Sequence, residues 1–188
     1  MSGQDDLEWT LLDASVVGEF SAFRVCRHTV RSPRDGSVQH FDVVDRPDCV
    51  QVIAHAPDGR LIMVEQFRHG VRRLSLEFPA GVLDQGETPV SGAMRELEEE
   101  TGYCAAGGSV IGMADLDPAI ETSRLHIVRL ERCIPDGSQD QDAGEVIRVR
   151  LVGENEVDGL IGKGSISSVS AIAAWYFWRS AGGTSRYG

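Results

Sequence analysis

The sequence predicts a mixed α/β sandwich preceded by a β extension. Alternating apolar and polar residues and Pro, Asp and Gly turn signals mark the N-terminal part of the chain, whereas residues at helical spacing occur in the middle and at the end. Strands and helices therefore do not alternate regularly, as they would in a doubly wound parallel sheet. We expect an α/β (α+β) arrangement in which helices pack on a sheet.

The N-terminal segment is expected to be antiparallel β. The stretches FSAFRVCRHTV and SVQHFDVV flank the turn RSPRDG, and the stretches CVQVIAHA and RLIMVEQF flank PDG. Both patterns predict hairpins. The sequence RPD at Arg46–Asp48 suggests a boundary between an extension, residues 1–46, and a main domain, residues 47–182. The last six residues, 183–188, should form a frayed tail.

A helix is predicted between Thr88 and Gly102. Thr88 can cap its N-terminus, Pro89 suits the first helical position, and Gly102 can end it in the left-handed conformation. Residues at helical spacing would form a mostly apolar stripe on one face. These residues are Val90, Ala93, Met94, Leu97 and Thr101.

Three elements are predicted after this helix. IRVRLV at Ile147–Val152 alternates like a half-buried strand, ENEVDGLIG suits a short helix, and the stretch from about Ile166 to Ser180 should be an amphipathic helix on the sheet. The expected buried face of that last helix consists of Ile166, Val169, Ile172, Ala173, Tyr176 and Phe177.

The charge of the chain limits its partners. Among 188 residues, 29 Asp and Glu oppose 18 Lys and Arg, so the net charge is −11. Sequence-independent binding to nucleic acid is not expected, because it needs many cations facing phosphates. Divalent cations can nevertheless join an acidic protein to an anionic substrate. An acidic surface that only keeps the protein in solution fits the charge equally well.

The predicted compartment is the cytoplasm. Four cysteines without a C-x-x-C pair suggest neither a zinc site nor a disulfide framework, and reduced thiols are typical of the cytosol. The N-terminus has no apolar stretch of the kind found in signal peptides. No apolar run reaches the ~20 residues that a membrane span needs, so no membrane partner is expected.

Three carboxylates should converge on one side of the predicted helix. At about 100° per residue, Glu99 and Glu100 lie about 60° and 40° to either side of Glu96, and Glu98 points elsewhere. Such crowding is repulsive by roughly 0.2–0.5 kcal/mol per pair. Two interpretations remain open. One is a site for a hard cation such as Mg²⁺ or Mn²⁺, and the other is a solvated acidic face supported by Arg95.

The spacing around these glutamates resembles the Nudix box. GVLDQGETPVSGAMRELEEETGY agrees with that motif at every fixed position, and only its last position, usually aliphatic, departs as Tyr103. The resemblance implies a Nudix-type α/β/α sandwich with a mixed sheet, in which the box forms a loop–helix–loop. It also implies an enzyme that cleaves a nucleoside diphosphate linked to another moiety, using a divalent metal.

The resemblance also implies roles for the box residues. Glu96, Glu99 and Glu100, with the backbone carbonyl of Ala80, would be ligands of Mg²⁺ or Mn²⁺, and Glu99 would also accept a proton. Arg95 would serve catalysis by pairing with these carboxylates and holding their rotamers. Gly81 and Gly86 would let the loop of the box turn tightly, because glycine tolerates unusual backbone angles. The structural positions of the motif are Gly81, Gly86, Glu87 and Gly102.

Outside the box the chain resembles the ADP-ribose and nucleotide-sugar pyrophosphatases. VEQFRHGV and LEFPAG are typical of that branch, as is a proline past the box, here Pro118, which would contact substrate. Arg68 would clamp the diphosphate, since a guanidinium matches phosphate oxygens as a fork. The implied reaction converts ADP-ribose to AMP and ribose 5-phosphate. The alternatives are a GDP- or UDP-sugar hydrolase and a module that senses ADP-ribose without cleaving it.

The same branch implies two further features. An acidic residue of the late segment DGSQDQDAGEVIRV would reach the metal or position the water, with Glu145 as first choice and Asp142 as second. The N-terminal extension would be exchanged between the two subunits of a homodimer. There Phe20, Phe23 or Phe41 could grip the adenine, although all three suit a protein core as well.

Overall fold

The computed structural model describes residues 7–141, 144 and 146–182. The predicted tail, 183–188, lies outside them. In the part of the chain that the structure describes, no helix has the length and apolar character that crossing a membrane requires. The described residues form ten strands, β1 (Thr10–Glu19), β2 (Arg24–Arg31), β3 (Val38–Asp45), β4 (Cys49–Ile53), β5 (Leu61–Arg68), β6 (Arg73–Glu77), β7 (Ala80–Val82), β8 (Gly107–Asp115), β9 (Arg124–Glu131) and β10 (Ile147–Val152), and three helices, α1 (Pro89–Thr101), α2 (Glu154–Gly162) and α3 (Val169–Ser180).

The chain divides into two compact units, and the first contains the N-terminal strands. It comprises Met1–Pro47 and the segment Asp115–Ser123. Its sheet has the order β1-β2-β3 and is antiparallel throughout, which confirms the predicted antiparallel extension. The sequence pattern does not anticipate β1. Two shifts in its register with β2 interrupt the alternation that would have marked it as a strand.

The segment Asp115–Ser123 belongs to the first unit because it pairs with the end of β3. The Val44 N–H donates to the Ile120 carbonyl at 2.7 Å. Val44 also forms an isolated parallel bridge with Glu121. These bonds hold the turn that contains Pro118.

The second unit comprises Asp48–Ala114 and Arg124–Gly188 and contains two sheets. One has the order β7-β4-β9-β8, in which β4 is antiparallel to β7 and parallel to β9. The other, β10-β5-β6, is antiparallel. The mixed sheet confirms the predicted fold class. The predicted strand and short helix at β10 and α2 are confirmed as well.

The predicted hairpin between β4 and β5 is present only beside its turn, where the Ile62 N–H donates to the Ala54 carbonyl at 2.9 Å. A tight turn does reverse the chain, since the Ala56 N–H donates to the Arg60 carbonyl at 2.8 Å, and one isolated bridge joins His55 to Leu61. The two strands then enter different sheets. Because β4 pairs with β7 on one side and β9 on the other, neither of its edges can accept β5.

Helices cover both faces of the mixed sheet. Ala93 and Leu97 of α1 form a buried cluster with Val50 and Val52 of β4, which confirms the predicted apolar stripe. Gln51, between those two valines, is also buried. Successive strand residues point to opposite faces, so β4 is covered on its second face too. The α3 helix, which contacts β4 and β9, provides that cover.

The α3 helix begins later than predicted and buries a different face. Because Ser168 is its N-cap, Ile166 precedes the helix. Ile166 is nevertheless buried. The helix is apolar almost all round, and helical spacing therefore permits more than one buried face. The two tryptophans, which can bury the most area, lie inward. The buried residues are Ala171, Ala174, Trp175 and Trp178, whereas Val169, Ile172 and Tyr176 of the predicted face are exposed, and Ala173 and Phe177 are half-buried.

Candidate active site

The α1 helix begins and ends where the sequence predicts. Thr88 Oγ1 accepts the Ser91 N–H at 3.2 Å, and Ser91 Oγ accepts the Thr88 N–H at 3.0 Å, which completes a capping box. Pro89 occupies the first position. Gly102, with φ 72°, ends the helix and donates its N–H to the Glu98 carbonyl at 2.7 Å. These caps set the two ends of the helix that carries the glutamates.

The carboxylate of Glu96 lies directly on the backbone of Gly81. A Cβ added at Gly81 would come within 1.9 Å of Glu96 Oε1 and 2.3 Å of Oε2. Only glycine leaves room here for the Glu96 carboxylate in this position. The predicted tight turn lies at Gly86, whose φ is 84°, and not at Gly81.

Glu100 is buried beside the same strand. It is only 2% exposed, and its Oε2 accepts the Ala80 N–H at 3.1 Å. Ala80 is held in β7 by pairing with Gln51, whose side-chain amide donates to the Phe78 carbonyl at 2.7 Å. A buried carboxylate is costly unless it is paired. Glu100 is therefore not part of a solvated acidic face.

Arg95 donates hydrogen bonds to three of the box glutamates. Its Nε and Nη2 donate to Glu87 at 3.1 and 3.0 Å, and its Nη1 donates to Glu96 at 2.8 Å and to Glu99 at 2.9 Å. Nη2 also donates to the Val82 carbonyl at 3.0 Å. The hydrogen bonds with Glu87 are the largest cause of the raised pKa of Arg95, and the same bonds lower the pKa of Glu87. The predicted pairing of Arg95 with the box carboxylates is present.

The oxygen atoms of this region suit a hard divalent cation. Glu96 and Glu100 both approach the Ala80–Gly81 stretch of β7, whereas Glu99, whose side chain is 39% exposed, is turned to Arg95. Within the described residues, no group of three or more His, Cys, Asp and Glu side chains is already gathered as a metal site. Of the three predicted ligands, Glu96 and Glu100 thus lie at β7, and Arg95 contacts both Glu96 and Glu99.

Arg68, the predicted diphosphate clamp, forms a bidentate pair with Glu77 of the neighbouring strand. Arg68 Nε donates to Glu77 Oε1 at 3.1 Å, and Nη2 donates to Oε2 at 2.8 Å. Glu77 is buried, while the Arg68 side chain is 42% exposed. Glu77 therefore fixes the orientation of a guanidinium that still has access to solvent.

The contacts described above do not involve the remaining predicted site residues, Pro118, Glu145 and Asp142. Pro118 is exposed in a turn of the first unit, and Glu145 and Asp142 lie outside the described residues. Their roles remain predictions. Sequence reasoning missed Glu77, although LEFPAG contains it. It also missed Gln139, which contacts α1, because residues so far from the box have no spacing signal.

The helix-covered mixed sheet and the capped loop–helix–loop together define a Nudix architecture. Residues 45–173 match the family model described as NUDIX domain, which is more than half of the chain. The chain therefore belongs to the Nudix family, whose hydrolases generally use divalent metal ions.

Curated relatives and a solved structure agree with this assignment. The chain is 34% identical to ADP-ribose pyrophosphatase of Bacillus subtilis (strain 168) over 119 residues, 63% of this chain and 64% of that protein. It is 41% identical to ADP-sugar pyrophosphatase of Mus musculus over 68 residues, 36% of this chain and 31% of that protein. The chain thus spans less than two thirds of either relative. A crystal structure of ADP compounds hydrolase has the same fold, with a TM-score of 0.81 and 21% identity over 93% of this chain and 95% of that one.

Gly81→Ala should weaken metal binding with little effect on folding. The new Cβ would displace the Glu96 carboxylate, which is the flexible end of its side chain. We expect Mn²⁺ affinity, measured by titration calorimetry, to fall about tenfold or more, with a nearly unchanged melting temperature. Gly159→Ala is the control, because a Cβ there meets nothing within 4 Å. Wild-type Mn²⁺ affinity in Gly81→Ala would contradict the importance of this contact.

Proposed function

We propose that the protein is a divalent-metal-dependent hydrolase that cleaves the diphosphate bond of ADP-ribose or a related nucleoside diphosphate sugar. The products from ADP-ribose would be AMP and ribose 5-phosphate. The observation that carries the proposal is the approach of Glu96 and Glu100 to Ala80–Gly81 in a complete Nudix box. The two curated relatives, named for action on ADP-ribose and ADP-sugars, support the substrate class.

The proposed cofactor is Mg²⁺ or Mn²⁺. Glu96, Glu99, Glu100 and the Ala80 carbonyl would hold it, since these oxygen donors match the preference of hard cations. Such an ion, when bound, neutralises phosphate charge and lowers the pKa of water. Arg95 would keep Glu96 and Glu99 oriented, because its Nη1 contacts both carboxylates.

Among the three glutamates, Glu99 is the proposed proton acceptor. Its side chain is 39% exposed, against 13% for Glu96, so it is more accessible to a water molecule. Glu145, with Asp142 as the second choice, is the proposed residue that assists from the late segment. Arg68 would bind the diphosphate with the fork that Glu77 orients, and Pro118 would contact the substrate.

We also propose that residues 1–46 form a dimerisation extension to a hydrolase domain at 47–182. Phe20 is 59% exposed and Phe41 is 51% exposed, and Phe20 stacks on Phe23 at 4.9 Å between ring centroids. Exposed aromatic residues of this kind suit an interface or a grip on adenine. A homodimer is expected in sedimentation equilibrium, and a monomer there would contradict the proposal. The cysteines are free thiols, which fits the proposed cytoplasmic location.

Product identification tests the proposed substrate. ADP-ribose, GDP-mannose and UDP-glucose would each be incubated with the protein and Mg²⁺ or Mn²⁺, with EDTA as the control. We expect AMP from ADP-ribose and no product in EDTA. Preferred release of GMP or UMP would favour the alternative sugar hydrolases. Tight ADP-ribose binding without AMP would favour a sensing module.

Glu99→Gln should abolish most of the turnover and leave the fold intact. The amide cannot accept a proton, and proton transfer contributes typically 10²–10⁴-fold, so we expect kcat to fall at least about 100-fold. Glu98→Gln is the matched control, since Glu98 is a neighbouring exposed glutamate of the same helix. The two variants should have the same circular dichroism. Equal kcat values for both would refute the role of Glu99.

Arg68→Lys should raise the KM for ADP-ribose more than it lowers kcat. Lysine keeps the charge but loses the planar fork that can match phosphate oxygens. A KM increase of about tenfold corresponds to the loss of one charge-assisted contact. Arg27→Lys provides the control, because Arg27 forms a similar bidentate pair with Asp42 on the N-terminal sheet. An unchanged KM in Arg68→Lys would remove Arg68 from the substrate site.

A further inference from the structure

The segment 137–141 lies across the C-terminal end of α1. The last carbonyls of a helix have no partner within the helix. The Asp140 N–H donates to the Glu99 carbonyl at 3.0 Å, and the side-chain amide of Gln139 donates to the Glu100 carbonyl at 2.7 Å. The segment therefore satisfies the carbonyls of the two box glutamates that end the helix.

Gln139 differs from Asp140 because its donor is a side chain and can be removed by substitution. Its partner, Glu100, is the buried residue whose carboxylate accepts the Ala80 N–H at 3.1 Å. Glu100 is thus held at its carbonyl by Gln139 and at its carboxylate by β7. A shift of either bond would move the carboxylate relative to the strand.

Gln139 also lines an open surface groove of about 500 Å³. Glu65 of β5, Leu74 of β6 and Arg148 of β10 are among the other lining residues. The same side chain therefore lines this groove and contacts the helix that carries the box glutamates.

Gln141 provides a comparison within the same segment. Its side-chain oxygen accepts the Ile147 N–H, and its amide donates to the Ile147 carbonyl, both at 3.2 Å. The two glutamines thus join the segment to different elements, Gln139 to α1 and Gln141 to β10.

We propose that Gln139 is a positioning residue that holds the last turn of α1, and with it Glu99 and Glu100, in the arrangement that binds the divalent cation. The inference rests on the proposed function, since it concerns the same carboxylates. Loss of the Gln139 amide removes one of the bonds that fix the last turn. Glu96 lies one turn earlier, and its carboxylate lies on Gly81 of β7.

Three substitutions separate the hydrogen bond from packing. Gln139→Leu keeps a similar volume but has no donor. Gln139→Lys supplies a cationic donor, which is favourable at a helix C-terminus. Gln139→Glu presents only acceptors at pH 7. Gln141→Leu is the matched control, because it removes the same amide from the same segment without touching α1.

The first measurement is Mn²⁺ affinity of the 188-residue chain by titration calorimetry, without substrate. We expect Gln139→Leu and Gln139→Glu to weaken Mn²⁺ binding by about tenfold or more, as loss of a residue supporting the ligands does. Gln139→Lys should restore most of the affinity, and Gln141→Leu should remain near wild type. The second measurement is amide exchange, which should be faster in the last turn of α1 in Gln139→Leu and unchanged in its first turn.

Wild-type Mn²⁺ affinity in Gln139→Leu, or an equal loss in Gln139→Leu and Gln141→Leu, would overturn the inference. Failure of the proposed function has a different signature. If the wild-type chain releases no AMP but the variants show the expected order of Mn²⁺ affinities, the substrate assignment fails and the role of Gln139 is supported. A wild-type chain that does not bind Mn²⁺ would overturn both.

Discussion

The approach of α1 to β7 at Gly81 is the contact on which the rest of the site depends. Only a residue without a side chain lets the Glu96 carboxylate lie on the strand, since a Cβ would stand 1.9 Å from Oε1. On the same helix, Glu100 accepts the Ala80 N–H and Leu97 packs in the core. Packing therefore determines where the carboxylates lie, and the chemistry of the site follows from that placement.

Arg95 offsets part of the negative charge of the site within the protein. Like charges at helical spacing repel by roughly 0.2–0.5 kcal/mol per pair. A hydrogen bond to a charged group contributes roughly 1.5–3 kcal/mol, and Arg95 donates to Glu87, Glu96 and Glu99. The attraction is the larger effect, so the helix tolerates its glutamates. Glu100 is buried and accepts the Ala80 N–H. Four box glutamates (Glu87, Glu96, Glu99 and Glu100) outnumber the one arginine, so a cation at this site would offset negative charge that Arg95 leaves.

Local features of the fold could be predicted, and features that depend on distant partners could not. The cap at Thr88 and the end at Gly102 follow from interactions within a few residues. The predicted pairing of β4 with β5 along their length is absent, because β7 and β9 occupy both edges of β4. Both of these strands come from later in the chain. The buried face of α3 was wrong for a similar reason. When a helix is almost wholly apolar, the surface on which it packs decides which of its faces is buried. In α3 that face contains Trp175 and Trp178.

The sequence by itself determined the family, the Nudix box, the limits of α1 and the identity of its glutamates, because each depends on residue types at short spacing. Tertiary structure alone decided how those glutamates are used. It shows that Glu100 is buried, that Gly81 serves a close approach, that Glu77 orients Arg68 and that Gln139 joins a distant segment to the helix. The physical reason is that burial, close packing and hydrogen bonds between elements arise only when residues far apart in the chain are brought together.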